Sequence, residues 1–107
     1  MRILRATIRR IRPTLIARSR PAGLADCVLE HAVPVLVVCD HILRVESLDR
    51  NKLEKIMADW LVTVELSSQE HRVALQKCGL SRCMPDGWDG VDVLARYRIA
   101  GIQIWKI

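Results

Sequence analysis

The spacing of hydrophobic and polar residues predicts a mixture of strands and helices, and the first segment fits either. Over residues 4–9 apolar and polar residues alternate as in a strand, but Leu4, Ile8 and Ile11 also recur at helical spacing. A helix would gather four arginines into one stripe: Arg2, Arg5, Arg9 and Arg12. Because Ile and Thr favour strands and a short arginine-dense helix repels itself, we predict a strand that ends at Pro13.

Residues 18–46 carry the pattern of a turn, a short helix and a long strand. Residues 18–23 (RSRPAG) are typical of a turn, and apolar residues at helical spacing predict a helix over residues 24–32. Over residues 35–45 the odd positions are apolar or histidine, and several even positions from residue 40 onward are polar. This pattern predicts the clearest strand of the chain, with Pro34 at its first position or at an edge.

A second apolar stripe predicts the most clearly marked helix. Ser47 is a suitable N-cap for a helix that begins at Leu48, with Asp49 near the positive end of the helix dipole. The apolar face of this helix would consist of Leu53, Ile56, Met57, Trp60, Leu61 and Val64. The end of the helix stays open, because the β-branched residues of LVTVEL at residues 61–66 also suit a strand.

Capping and glycine signals mark the elements that follow. Ser67 and Glu70 have the spacing of a capping box, and Gly79 suits the left-handed position after a helix, so we predict a helix over residues 68–78. Residues 84–90 (MPDGWDG) predict a loop because they contain one proline and two glycines.

The C-terminal residues predict two strands. Residues 91–99 alternate between apolar and polar positions, and the apolar phase changes at Gly101, which indicates a bulge or tight turn before a last short strand. A last strand of this kind is either buried in the sheet or an exposed edge. An exposed edge would be available to a second copy of the chain, forming a homodimer, or to another partner.

This order of elements predicts an α+β fold, in which two or three helices pack on one face of a small, mostly antiparallel sheet. We expect residues 1–107 to form a single globular domain, because two cores in so short a chain would each bury too little apolar surface. The longest apolar run, residues 33–39, is far shorter than the roughly 20 residues of a membrane span.

The cysteines and the composition of the N-terminal segment indicate the cellular compartment of the protein. Four cysteines without an export signal predict reduced thiols and a cytoplasmic location. They are Cys27, Cys39, Cys78 and Cys83, and whether they are more than core residues stays open. The Arg-rich, acid-free start resembles an organellar transit peptide, which we expect to be retained.

Charge is distributed unevenly along the chain. The net charge is +5, but residues 1–25 contain seven arginines and no acidic residue, and the rest of the chain carries a slight negative balance. The domain thus divides into a basic first element, residues 1–20, and a near-neutral to slightly acidic body, residues 21–107. The candidate residues for binding nucleic acid or an anionic partner are Arg2, Arg5, Arg9, Arg10, Arg12, Arg18 and Arg20. Clustered guanidinium groups pair with phosphates and release counterions when they bind nucleic acid.

Metal and cofactor chemistry has weak support. Cys27 with His31, Cys39 with His41, and His71 with Cys78 and Cys83 are close in sequence, but no Cys-x-x-Cys knuckle is present. Asp86, Asp89 and Asp92 would suit a magnesium site, yet loop aspartates usually bond to backbone donors in turns. We predict no metal and no cofactor.

Catalytic and DNA-reading motifs are also weak. The sequence contains no nucleophile elbow, P-loop or dinucleotide fingerprint. A helix-turn-helix in residues 68–90 fails because Pro85, Gly87 and Gly90 fall where the recognition helix should be.

We therefore expect a non-enzymatic binding protein whose basic N-terminal segment contacts nucleic acid or a nucleoprotein complex. The alternative is a protein-interaction module, such as a small inhibitor or assembly subunit, that docks an acidic protein surface or pairs through a sheet edge. A weaker alternative is a small enzyme or ligand-binding domain with a pocket near Trp88.

Overall fold

The computed structural model describes residues 2–19 and 26–107. In chain order its elements are α1 (Arg2–Arg10), β1 (Thr14–Ser19), β2 (Cys27–His31), α2 (Val35–Arg44), α3 (Arg50–Trp60), β3 (Val62–Ser67), α4 (Leu75–Lys77), α5 (Ala95–Ile99) and β4 (Ile104–Lys106). A π-helical turn at Glu70–Ala74 leads directly into α4.

The four strands form one mixed sheet in the order β2-β3-β1-β4. The two central strands, β1 and β3, are parallel, whereas β2 pairs with β3 and β4 pairs with β1 in antiparallel fashion. The predicted α+β class and the mostly antiparallel sheet are therefore confirmed.

Two apolar clusters fill the interior. The first joins alternate residues of β3 to α4 and α5, with Val64, Leu66, Leu75 and Tyr97 among its most buried members. The second gathers residues from α1, α2 and the segments around them, and α3 packs against it with partly buried side chains. Trp60 and Trp88 lie at the border of this second cluster, with ring centroids 5.1 Å apart.

The first segment is a helix, so the predicted strand is wrong. Ile8 is buried in the second cluster, and Leu4 and Ile11 pack against it from the same face of α1. This is the helical spacing that the sequence offered as its alternative. Burying that stripe against α2 outweighs the strand preference of Ile and Thr.

The second and third predicted elements are also wrong. Residues 27–31 form the strand β2 rather than a helix, and residues 20–25, which include part of the predicted turn and helix, lie outside the described residues. The predicted strand at 35–45 is the helix α2. Its buried residues are Val35, Val38, Cys39 and Ile42, which is the spacing of one helix face. Tertiary burial thus overrides the strand preference of valine.

Pro34 stands before the first turn of α2 rather than in a strand. Its carbonyl accepts hydrogen bonds from the backbone N–H groups of Val37, at 2.9 Å, and of Val38, at 3.1 Å. A proline fits there because the first N–H groups of a helix have no partner inside the helix.

The helix after residue 47 is confirmed, but its N-cap is different. Asp49 caps α3, since its Oδ1 accepts a hydrogen bond of 2.8 Å from the backbone N–H of Lys52. Ser47 instead adopts a positive φ of 50° in the preceding turn. The sequence left open whether residues 61–66 continue this helix or form a strand. They mostly form a strand, because β3 covers residues 62–67.

The capped helical segment at residues 68–77 is confirmed. Glu70 Oε1 accepts from the backbone N–H of Ser67 at 2.9 Å, and Ser67 Oγ accepts from the N–H of Glu70 at 3.1 Å. The helix ends at Gly79, whose φ of 68° is the left-handed conformation that glycine adopts without strain. The N–H of Leu80 then bonds to the carbonyl of Leu75 at 2.9 Å.

The predicted strand at residues 91–99 is wrong, because residues 95–99 form the short helix α5. Neighbouring residues Arg96 and Tyr97 are both buried, an arrangement that a half-buried strand would not allow. The turn at Gly101 and the last short strand, β4, are confirmed. Within residues 2–19 and 26–107, no helix is long and apolar enough to cross a membrane.

Candidate nucleic-acid interface

The seven arginines predicted from the sequence are spread over several environments. Arg5 and Arg9 project from α1 into a cleft, whereas Arg10 and Arg12 are exposed and do not line that cleft. Arg2, at the start of α1, is exposed and outside the cleft as well. Arg18 lies on β1, with its Nε 3.9 Å from Glu65 Oε1. Arg20 is outside the described residues.

The cleft lies between α1, the β2 edge of the sheet and the segment from the π-helical turn to residue 83. Its volume is about 960 Å³. The basic side chains that line it come from five parts of the chain and are Arg5, Arg9, His31, His71, Arg72, Arg82 and Arg96. Five guanidinium groups around one concavity are suited to an anionic ligand.

Glu30 is the one acidic residue among the described residues that line the cleft, and its carboxylate is already occupied. Its Oε1 accepts hydrogen bonds from Arg96 Nη2 at 2.8 Å and from the Tyr97 hydroxyl at 2.7 Å. Its Oε2 lies 3.4 Å from His71 Nε2. Burial and the neighbouring Glu30 carboxylate raise the pKa of Tyr97 far above its usual range, so the phenol remains a hydrogen-bond donor.

Arg96 is a structural member of the cleft rather than a free cation. Its side chain is 1% exposed, and in addition to Glu30 it donates to the backbone carbonyls of His31, Ala32 and Leu80 at 2.7 to 3.2 Å. These bonds join α5 to the end of β2 and to the loop that follows α4. Arg96 therefore fixes the end of β2 relative to the loop that follows α4, and both of these segments line the cleft.

The other guanidinium groups of the cleft are available to a ligand. Among residues 2–19 and 26–107, Arg5, Arg9, Arg72 and Arg82 make no salt bridge and no side-chain hydrogen bond. Arg44, Arg50 and Arg98, which lie outside the cleft, each pair with a carboxylate. The cleft thus contains four guanidinium groups that have no carboxylate partner among the described residues.

His31 adds a polar group near these cations. Its Nε2 is buried without a hydrogen-bond partner in the described part of the chain. Burial and the charge of Arg9 lower the pKa of the imidazole, so it is neutral near physiological pH.

The cysteine–histidine pairs considered from the sequence are not assembled. Cys27 and His31 stand on a strand, about 13 Å apart along its axis, instead of one helical turn apart. Cys39 is buried, which raises the pKa of its thiol, while His41 is exposed and lies against Trp60. Over the two described ranges of the chain, no three His, Cys, Asp or Glu residues are gathered so that they could hold a metal ion.

Two of the three aspartates considered from the sequence, Asp89 and Asp92, act as turn residues. Asp89 Oδ1 accepts hydrogen bonds from the N–H groups of Val91 and Asp92, at 2.8 and 2.9 Å, and these bonds lower the pKa of its carboxyl group. Asp92 is paired with Arg98 and caps the N–H of Leu94. These contacts explain the carboxylates without a metal or a reacting group.

The sequence offered no signal for most of the cleft. His31 and His71 stood out only as neighbours of cysteines, and no charge pattern marked Arg72, Arg82 and Arg96. The fold gathers these residues in one cleft with Arg5 and Arg9 of α1. The charge pattern pointed to Arg5 and Arg9 but could not distinguish them from Arg10 and Arg12. That distinction depends on the helical face, which follows from α1 being a helix.

We compared the chain with protein-family models, curated proteins and solved structures, and none of them matches it. The cleft itself is therefore the basis for inferring function.

Proposed function

We propose that this protein is a non-enzymatic nucleic-acid-binding protein, and that the ligand's phosphates bind in the basic cleft beside α1. The observation that carries the proposal is the convergence of four unpaired guanidinium groups, Arg5, Arg9, Arg72 and Arg82, on one concave surface. Guanidinium groups bind phosphate through paired, charge-assisted hydrogen bonds, and each contact releases counterions from nucleic acid.

The shape of the site supports a built ligand site over a merely solvated basic face. A solvated face would present its arginines outward on one element, as Arg10 and Arg12 are presented. In the cleft, cations from α1 and cations from the 70–83 segment line the same concave surface. Their mutual repulsion is a cost to the folded protein that a bound polyanion removes.

The proposed binding keeps the predicted role of the N-terminal arginines but assigns it mainly to two of the seven. Arg5 and Arg9 take the central role, and Arg2, Arg10, Arg12, Arg18 and Arg20 contribute at most to the general field around the protein. The free cysteines of the structure are compatible with a reducing compartment, and we place the activity in the cytoplasm.

A second candidate is a protein-interaction role, including a homodimer, through the edge strand β4. Trp105 is 58% exposed and Ile107 is 69% exposed at this edge. Exposed apolar residues on an edge strand are typical of surfaces that add a strand from another chain. Sedimentation of the Trp105→Ser variant against the unmodified protein tests it, because a β4-mediated dimer would dissociate.

The test of the proposed function compares two double variants by fluorescence anisotropy with a labelled nucleic acid at low salt. Arg5→Gln/Arg9→Gln removes two cations from the cleft, and we expect at least about a tenfold loss of affinity. The matched control is Arg10→Gln/Arg12→Gln, which removes the same charge from the same segment outside the cleft and should change affinity much less.

Two results would count against this function. Equal losses in both double variants would mean that net charge, and not the cleft, governs binding. Polyglutamate that competes as effectively as nucleic acid would instead favour an acidic protein surface as the partner.

A further inference from the structure

We infer that the cleft recognises the sugar-phosphate backbone of a duplex and does not read or stack on bases. This inference rests on the proposed function and specifies its ligand. It follows from where the aromatic side chains of the chain are located, together with the charge of the cleft.

Base stacking on proteins relies chiefly on tryptophan, tyrosine and phenylalanine rings, and among the described residues none of these lines the cleft, whose aromatic groups are the imidazoles of His31 and His71. The sequence contains three tryptophans, one tyrosine and no phenylalanine. Trp60 and Trp88 pack on each other, and each donates its indole N–H to a backbone carbonyl of the 84–92 loop, at 3.0 and 2.8 Å. Tyr97 is fully buried, and Trp105 is on β4 and does not line the cleft.

Loss of stacking weakens single-strand binding far more than duplex binding. Stacking on aromatic rings strengthens single-strand binding by roughly tenfold or more per base. A duplex keeps its bases stacked on one another and presents its phosphates outward at twice the axial charge density of one strand. A site that offers guanidinium and imidazole groups, but no tryptophan, tyrosine or phenylalanine ring, therefore favours the duplex.

The polar side chains of the cleft give little capacity for sequence readout. Base readout depends on side chains that reach base edges in a groove, usually from an exposed helix or ribbon. Here the unpaired arginines line a concave space. We expect affinity to depend on salt and on charge density, with little dependence on base sequence.

The experiment measures the affinity of the full chain for a short duplex, for each of its separated strands, and for a second duplex of unrelated sequence. The probes are made both as DNA and as RNA, so that the preferred duplex type is identified. We expect both duplexes of the preferred type to bind within about threefold of each other and about tenfold more tightly than either strand. Trp105→Ala, which removes the one exposed tryptophan, should leave single-strand affinity unchanged.

The outcomes separate this inference from the proposed function. Single strands that bind as tightly as the duplex, or that lose affinity in Trp105→Ala, would overturn the inference while nucleic-acid binding stands. A difference of more than about tenfold between the two duplex sequences would also overturn it. If no duplex or strand binds at low salt, the proposed function itself is wrong.

Discussion

The guanidinium group of Arg96 donates a 2.8 Å hydrogen bond to the carboxylate of Glu30, and this buried ion pair connects α5 to β2 at the wall of the basic cleft. The two residues are 66 positions apart in sequence. Their contact shows how the cleft is held together. Arg96 donates hydrogen bonds to the surrounding carbonyl groups and to Glu30. Because Arg96 occupies the Glu30 carboxylate, that carboxylate does not pair with the other arginines of the cleft.

We predict that Arg96→Met strongly destabilises the fold, because it removes the cation that pairs with Glu30 and leaves the buried carbonyls of Ala32 and Leu80 without their side-chain donor. Removal of one partner of a buried pair lowers the free energy of unfolding by about 3–5 kcal/mol, as measured by urea denaturation. The matched control is Arg98→Met on the same helix, which breaks an exposed pair and should have a much smaller effect. A similar loss for both would contradict the structural role of Arg96.

A second prediction concerns the capping box. Glu70 accepts hydrogen bonds from the Ser67 backbone N–H and from the Ser19 hydroxyl, so it joins the 68–77 helical segment to β1. We expect Glu70→Ala to lower the free energy of unfolding by about 1–2 kcal/mol. Glu70→Gln keeps an oxygen acceptor and should lose less. Equal denaturation midpoints for the two variants would contradict the capping role.

A third prediction concerns the pH dependence of His31. Its folded-state pKa is lowered, so the unfolded chain binds the proton more readily, and stability decreases as pH falls below the unfolded value of about 6.5. Arg9→Gln removes one cause of the shift and should raise the pKa of His31, as measured by NMR titration of the ring protons.

His41 is the internal control for that titration, because it lies against Trp60 outside the cleft. A phosphate bound near Arg9 should raise the pKa of His31 as well, since it offsets the arginine's charge. A His31 titration that responds neither to Arg9→Gln nor to added nucleic acid would contradict the placement of His31 beside Arg9.

The sequence predicted the capping box at residues 67–70 and the glycine turns because those signals are local. The α+β class was predicted correctly although several of the elements behind it were wrong, because the chain mixes helices and strands in either assignment. The capping box of Ser67 and Glu70 and the left-handed turns at Gly79 and Gly101 depend on only a few neighbouring residues. The identities of α1 and α2 could not be decided in this way. Their residues suit both strand and helix, and the choice depends on burial against segments distant in sequence.

The candidate site was less predictable than the fold. Local charge density indicated an anionic partner, but the cleft is completed by Arg72 and Arg82, which no pattern links to α1. Their proximity arises from a sheet order in which β2 pairs with β3. A single sequence contains no direct signal for such distant contacts.

In the proposed function, unpaired arginines from α1 and from the 70–83 segment bind phosphates, and the salt dependence of duplex affinity reports how many of them do so. If Arg5, Arg9, Arg72 and Arg82 each contact one phosphate, the slope of log affinity against log salt should approach about −3.6 between about 50 and 200 mM salt. Arg5→Gln/Arg72→Gln, with one substitution on each wall, should reduce the slope by about 1.8, and Arg10→Gln/Arg12→Gln should preserve it. Equal slopes for the two double variants would contradict the account.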